Sequence, residues 1–294
     1  MEAAISDIKY LRSKTEAGMQ DCRRALAESE GDREEAERLL KEWGLAAVQK
    51  RADREAREGS VFIHEEGASA AMVELVCETD FVSRNDLFRK AGAEAARHAL
   101  AARLEAPDTK FVELAAGLAS VMKENIQARR VAFMAPGPSG LVASYLHGEG
   151  AIGVLVRLGL GVEAGRDTGA TAMAAAARDE RVLALAHDLA LHIAAYRPLF
   201  LDEASIPVAY REERLALIRK EVEEDPAAQA KSEAIREGMV AGRLRKHFAA
   251  ICLLGHAFVK DEARTVAGLL ADFAAETGFA VTVEGFASFK AGEA

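Results

Sequence analysis

The chain is short of cysteine, of aromatic residues and of long uncharged apolar runs. Each shortage excludes something. Cys22, Cys77 and Cys252 stand far apart and never form a C-x-x-C pair. An odd, scattered set argues against a disulfide framework or a cysteine-based zinc site and suits a reducing cytosol. No apolar stretch approaches the roughly 20 residues that span a bilayer. Met1-Glu2 is not followed by an apolar signal core. These features predict a cytoplasmic protein without a membrane partner. The net charge of −9 lacks the concentrated basic face that general nucleic-acid binding requires. Lys50-Arg51 and Arg243 to Lys246 are the local exceptions, and no direct nucleic-acid partner is expected.

Catalytic signatures are missing too. No G-x-x-x-x-G-K-S/T occurs, so no phosphate-cradling loop of that class is expected. Gly159-Leu160-Gly161-Val162-Glu163-Ala164-Gly165 follows a strand-like run, but its third glycine falls one position late for a dinucleotide site. His187 and His192 would lie about 140° apart around a helix axis, a poor arrangement for one metal. There is neither a G-x-S-x-G elbow nor a cysteine–histidine nucleophile signature. The expectation is no cofactor, no metal and no catalysis by this chain alone.

What is present is a helix-rich sequence of 294 residues, half of them hydrophobic, with abundant alanine and arginine. That length accommodates two or three domains with real cores. Residues 3–13 predict a short helix with Ile5, Ile8 and Leu11 on one side. Thr15 to Cys22 mark a turn and a second helix, which runs through Ala25-Leu26 to about Ser29 and ends at Gly31. Asp32 is an N-cap candidate, Glu35 completes a capping box, and a third helix carries Ala36, Leu39, Leu40 and Trp43 to a stop at Gly44. The bundle resembles the ubiquitin-associated type, and Met19 there is either a core residue or a contact. Residues 45–58 read as a helical or flexible linker.

A hairpin follows: Val61 to His64, a turn at Glu65-Glu66-Gly67, and a returning strand over Ala70 to Val76. Helices are predicted over about Asp86–Arg103 and Lys110–Arg129. The hairpin pattern then recurs at Val142–His147, Gly148-Glu149-Gly150 and Ile152–Leu158. His64 and His147, Gly67 and Gly150, Met72 and Leu155, and Leu75 and Leu158 stand at one constant offset without a gap. An internal duplication of one α+β unit is the inference. His98 and His192 fall at equivalent places and are expected in the two cores. A strongly apolar helix occupies 180–195. Two charged helices, 207–224 and 231–250, carry narrow apolar seams through Val208, Leu215, Ile218 and Val222, and through Ile235, Met239, Leu244 and Phe248. They predict a projecting antiparallel coiled-coil hairpin. The alternating run Phe279 to Val283 is expected to join the second sheet.

The chain is organised around Cys77 to Asn85, with Thr79-Asp80-Phe81-Val82 placed at the turn between the first returning strand and the helix after it. Two readings compete there. In one, Thr79 or Asp80 caps the helix while Phe81 or Val82 covers its first turn. In the other, the aromatic is a wedge for another protein's pocket.

The ordered motifs resemble the bacterial elongation factor Ts family over nearly the whole chain. They are Leu11-Arg12, Thr15, Ala17-Gly18-Met19, Asp21-Cys22 and Ala25-Leu26; Glu78-Thr79-Asp80-Phe81-Val82; His192-Ile193-Ala194-Ala195 with Pro198; Gly242-Arg243-Leu244; and Phe258-Val259-Lys260-Asp261 with Thr265-Val266. The resemblance implies an α+β chain in three parts. These are a ubiquitin-associated-like domain with linker (1–54), a core subdomain carrying the Thr-Asp-Phe-Val motif (55–140), and a second core subdomain (141–294) with a coiled-coil hairpin inserted at about 205–245. It implies guanine-nucleotide exchange on elongation factor Tu, in its GDP-bound and nucleotide-free states. Asp80 and Phe81, flanked by Thr79 and Val82, would enter the partner's GTPase domain. Arg12, Met19, Gln20 and Arg23 would grip that domain, and His147 would reach the phosphate-loop region. A homodimer or a two-to-two complex is open to such a chain. Glu16, Gln20, Arg23 and Gly255-His256-Ala257-Phe258 depart from the family's usual residues. A protein-binding scaffold without exchange activity is the alternative.

Overall fold

The computed structural model describes residues 5–15, 17–162 and 176–293, except for the side chains of 45–49. The fold is mixed α+β, with small antiparallel sheets. The chain packs as two compact units: residues 1–133, 146–153 and 289–294 form the first, and 134–145 and 154–288 the second.

The first unit opens with three helices, α1 (Ile5–Thr15), α2 (Met19–Glu28) and α3 (Arg33–Gln49). Ile8, Leu11, Cys22, Ala25, Leu26, Ala36 and Leu40 form their common core. The end of α2 follows the expected glycine stop. Glu30 and Gly31 adopt φ of 53° and 93°, and Gly31 N donates to Leu26 O at 2.8 Å. Asp32 caps α3, its Oδ1 accepting from Glu34 N and Glu35 N. The capping box is not completed in return, because the Glu35 carboxylate turns to Arg38. Gly44 is not a stop: α3 runs through it to Gln49. A Cβ at Gly44 would lie 2.6 Å from Ser120 Oγ, so the missing side chain admits a neighbouring helix instead.

That neighbour belongs to the first α+β layer. Strand β1 (Glu58–Glu66) pairs antiparallel with β2 (Ser69–Cys77), from Glu58 opposite Cys77 to Glu66 opposite Ser69. Gly67, at φ 63°, opens the tight turn between them. After a four-residue helix α4 (Asp80–Ser83) come α5 (Asp86–Ala102) and α6 (Thr109–Met122). Helix α6 stops at Lys123 in the left-handed region, short of the expected Arg129. Residues Gln127–Met134 form strand β3 instead and complete the sheet in the order β1-β2-β3. Ala71, Val73, Leu75 and Cys77, alternate residues of the central strand, pack with Phe88, Ala95, Ala99 and Phe111 in one core.

The second sheet is β4 (Gly140–His147), β5 (Ile152–Val162) and β8 (Phe279–Lys290), with the C-terminal strand joining as expected. Gly159 to Val162 lie within β5, whereas Glu163, Ala164 and Gly165 of the glycine-rich motif fall outside the described residues. Helix α7 (Glu180–Tyr196) buries Val182, Leu185, Leu189, His192 and Ile193. Helix α8 (Val208–Glu224), a short α9 (Pro226–Gln229) and α10 (Glu233–Ile251) follow. Tyr210 meets His247, and Arg219 faces Glu237, so α8 and α10 run antiparallel. Ile218, Val222, Ala228 and Val240 form their seam, whereas Val208 and Ile235 stay exposed. A two-stranded ribbon, β6 (Ala257–Phe258) and β7 (Asp261–Thr265), and helix α11 (Val266–Thr277) lead into β8.

The two expected core histidines differ. His98 is partly exposed, with Nε2 2.8 Å from Asp108 Oδ2. His192 is fully buried among His256, Tyr196 and Phe258. Its Nδ1 accepts from Val259 N at 3.1 Å, which places the ring proton on Nε2. Burial, then the neighbouring His256, push the His192 pKa down to about 4, and burial pushes His256 down as well. The neutral rings therefore belong to the folded state. Their contribution to stability is fully present above the ordinary value of 6.5 and is lost as pH falls towards 4. Thermal melts between pH 7 and 4 should show this loss. A His192→Asn variant, less stable at pH 7, should show a shallower decline over the same range.

Candidate functional site

Residues 77–86 are the segment in which a buried strand becomes a helix. Cys77 ends β2 inside the core, and Thr79 is extended at φ −129°, ψ 155°. The single turn of α4 follows, closed by Ser83 N to Thr79 O at 3.3 Å and Arg84 N to Asp80 O at 3.1 Å. Asn85 then caps α5, its side chain accepting from Leu87 N at 2.9 Å.

Within α4 the side chains divide. Val82 is buried and joins the core of Leu75 and Phe88. Ser83 is buried as well, its Oγ donating to Asp80 O. Asp80 points partly outward and faces Arg84 at 3.3 Å. Phe81 is 84% exposed, the most exposed of the chain's large apolar residues among those described. The local reading of this motif holds only in part: Val82 packs inward beside Phe88, but Thr79 makes no side-chain cap and Phe81 stays in solvent. Exposing an aromatic ring forgoes about 2 kcal/mol of burial, while the residues beside it are anchored.

The base of this turn is polar. Glu124, in the connection between α6 and β3, accepts Glu78 N and Thr79 N, each at 3.0 Å, on Oε2. Its Oε1 accepts the Thr79 hydroxyl at 2.6 Å. Glu78 answers, its Oε1 accepting Asn125 N at 2.6 Å. Asn125 donates in turn to Ala52 O and Arg54 O. Glu124 and Asn125 were not legible as site residues, because their partners lie 45 and more residues away and no local spacing marks them.

The other candidates distribute as follows. Arg12, Met19, Gln20 and Arg23 are all exposed on α1 and α2, with Met19 49% accessible rather than packed inside. Glu16 lies outside the described residues. His147 is exposed at the end of β4, before a turn in which Gly148, Glu149 and Gly150 have φ of 57°, 56° and 104°. Gly150 packs tightly, since a Cβ there would lie 2.9 Å from Val61 O. Arg89 of α5 donates to Glu149 O at 3.3 Å and faces its carboxylate at 3.6 Å. The bundle, the Thr79–Val82 turn and the His147 turn thus all belong to the first unit. Among the described residues no group of acidic, histidine or cysteine side chains is placed to hold a metal, and no helix is long and apolar enough to cross a membrane.

A family model described as Elongation factor TS matches residues 78–293, a span that opens immediately before the exposed motif. Elongation factor Ts of Treponema denticola is 32% identical over 292 residues, covering 99% of both chains. That of Symbiobacterium thermophilum is 37% identical, covering 99% of this chain and 93% of its own. That of Clostridium acetobutylicum is 34% identical, covering 99% and 92%. This chain belongs to the elongation factor Ts family. It is therefore a member of a family of translation elongation factors.

The base of this turn also contains a buried thiol. Cys77 is buried and its Sγ lies 3.2 Å from Thr79 O. Burial, then the nearby Glu124 charge, push its pKa up to about 12. Cys22 and Cys252 are buried with raised pKa values too. Since the thiolate is the reactive form, a disulfide-type thiol reagent at pH 8 should titrate none of the three cysteines quickly in the folded protein, and all three after denaturation.

Proposed function

We propose that the chain is a guanine-nucleotide exchange factor that binds elongation factor Tu in its GDP-bound and nucleotide-free states and promotes GDP release. The observation that carries this reading is Phe81, an aromatic ring held in solvent just before the buried Val82 and Ser83 at a strand-to-helix turn.

GDP in a GTPase is held by Mg²⁺, a lysine and backbone N–H groups, so its release requires disturbing the metal shell or the phosphate cradle. Asp80 and Phe81, supported by Thr79 and Val82, enter the GTPase domain and shift those elements by a small amount. Arg12, Met19, Gln20 and Arg23 grip the same domain from the three-helix bundle, and His147 reaches the phosphate-loop region. By linkage, the factor weakens nucleotide binding by the same ratio that nucleotide weakens its own. It therefore speeds equilibration without chemistry of its own, which is why the chain acts as a binding protein rather than an enzyme.

The same reading divides the chain by task. Residues 1–54 serve as a ubiquitin-associated-like grip and 55–140 as the subdomain that carries the wedge. Residues 141–294 form a duplicated partner subdomain whose α8 and α10 make a coiled-coil hairpin. The setting is the cytoplasm, and a homodimer or a two-to-two complex with the partner is open to the chain.

The test is release of fluorescent GDP from elongation factor Tu, chased with excess unlabelled nucleotide. The chain should accelerate release, and Phe81→Ala should reduce that acceleration about tenfold or more, as for a central interface aromatic. Because the ring is exposed, the variant's stability should change by less than about 0.5 kcal/mol. Wild-type exchange by Phe81→Ala would remove the wedge. An absence of acceleration by the parent chain would favour a binding scaffold.

A further inference from the structure

We propose that Glu124 is a positioning residue for nucleotide exchange: its carboxylate fixes the Thr79 end of α4 and so sets the direction in which Phe81 is presented. This rests on the wedge reading above.

A one-turn helix does not hold its own orientation, because a single turn fixes several dihedral angles for very few hydrogen bonds. Something outside α4 must orient it. Val82 and Ser83 anchor one face in the core. They leave the entering backbone free to pivot about them. Glu124 supplies the second point. Both of its oxygens are used, one on two successive N–H groups and the other on the Thr79 hydroxyl. Three charge-assisted bonds from two directions remove the pivot. The bond set also explains why Thr79 does not cap its own helix: its hydroxyl points backward to Glu124 instead of forward to a free N–H.

The clamp extends beyond the wedge. Glu78 returns a bond to Asn125 N and faces Arg54 at 3.5 Å. Asn125, 4% exposed, holds Ala52 O and Arg54 O of the segment that leaves the three-helix bundle. The base of the wedge and the root of the proposed grip are thus tied to one pair of adjacent residues. A loosened clamp would leave Phe81 present but spread over many directions. Exchange, which needs one direction, should then suffer more than binding.

The experiment uses the full chain in the fluorescent GDP release assay, titrated to saturation. Glu124→Ala should lower the maximal acceleration about tenfold while moving the half-saturating concentration less than about threefold. Glu124→Gln should stay within about threefold of the parent, because its amide oxygen can accept both N–H groups while its amide nitrogen donates to the Thr79 oxygen. Should Glu124→Ala not fold, Thr79→Val, which removes only the hydroxyl bond, should lower the maximum about threefold with an unchanged melting temperature. Undiminished maximal acceleration by Glu124→Ala, or by Thr79→Val where Ala does not fold, would overturn the proposal. So would equal losses for Ala and Gln. Phe81→Ala in the same assay separates the layers. If it is impaired while Glu124→Ala is not, the wedge stands and the positioning role falls; if it exchanges like the parent, both fall.

Discussion

A fully buried carboxylate sits on the central strand of the first sheet. Glu74 has no exposed surface, and an unpaired charge there would cost several kcal/mol. Its partners are Arg130 of β3 at 2.6 Å and the backbone N of Gly292 at 2.9 Å. The requirement shapes two regions. It aligns β3 beside β2. It draws the last residues of the chain to the first unit, where Arg130 also donates to Lys290 O and lies over the Phe289 ring. Arg129, its neighbour, donates to Ala56 O and Glu293 O, so the chain's end and the root of β1 share one guanidinium. Removing either half of such a pair strands the other, which makes this a constraint on the whole unit.

The same logic operates at the end of β2, where the strand leaves the core. Glu124 is satisfied by two backbone N–H groups and the Thr79 hydroxyl, and Glu78 takes the Asn125 backbone N–H on one oxygen while Arg54 faces the other. Backbone donors have fixed directions, so they orient a turn in a way that a flexible ion pair does not. The salt bridge on the wedge itself, Asp80 to Arg84, is largely exposed and contributes little to holding it. Rigidity therefore comes from beneath the turn, and the outer face stays available for a partner.

Local patterns in the sequence exposed much of this architecture. Glycine turns, the Asp32 cap and the seam of α8 and α10 could be read because their determinants lie within a few residues. The errors share one cause. Gly44 resembled a helix stop, but the glycine serves close approach to Ser120. Strand β3 was not anticipated: its first residues fall at the end of an expected helix, and its arginines find their partners at Glu74 and the distant C-terminal residues. Thr79 looked like a cap because the acceptor that claims its hydroxyl is remote in sequence. The exposed motif itself was legible from residue type and order, whereas its support was not.

The division of contacts bears on how exchange would be delivered. Helix α5 begins at the cap just after the wedge and carries Arg89 one turn later. Arg89 reaches the turn that follows His147, and Gly150 of that turn is seated against Val61 and Ser60 of β1. The ion pair with Glu149 is open to solvent and weak. The backbone bond and the close glycine contact do the positioning. The Thr79–Val82 turn, the His147 turn and the helical bundle are consequently registered to one another through elements of a single unit. Helices α8 and α10 belong to the other unit, so the proposed function leaves them the tasks of affinity or assembly and leaves the direction of Phe81 to the turn and its carboxylate base.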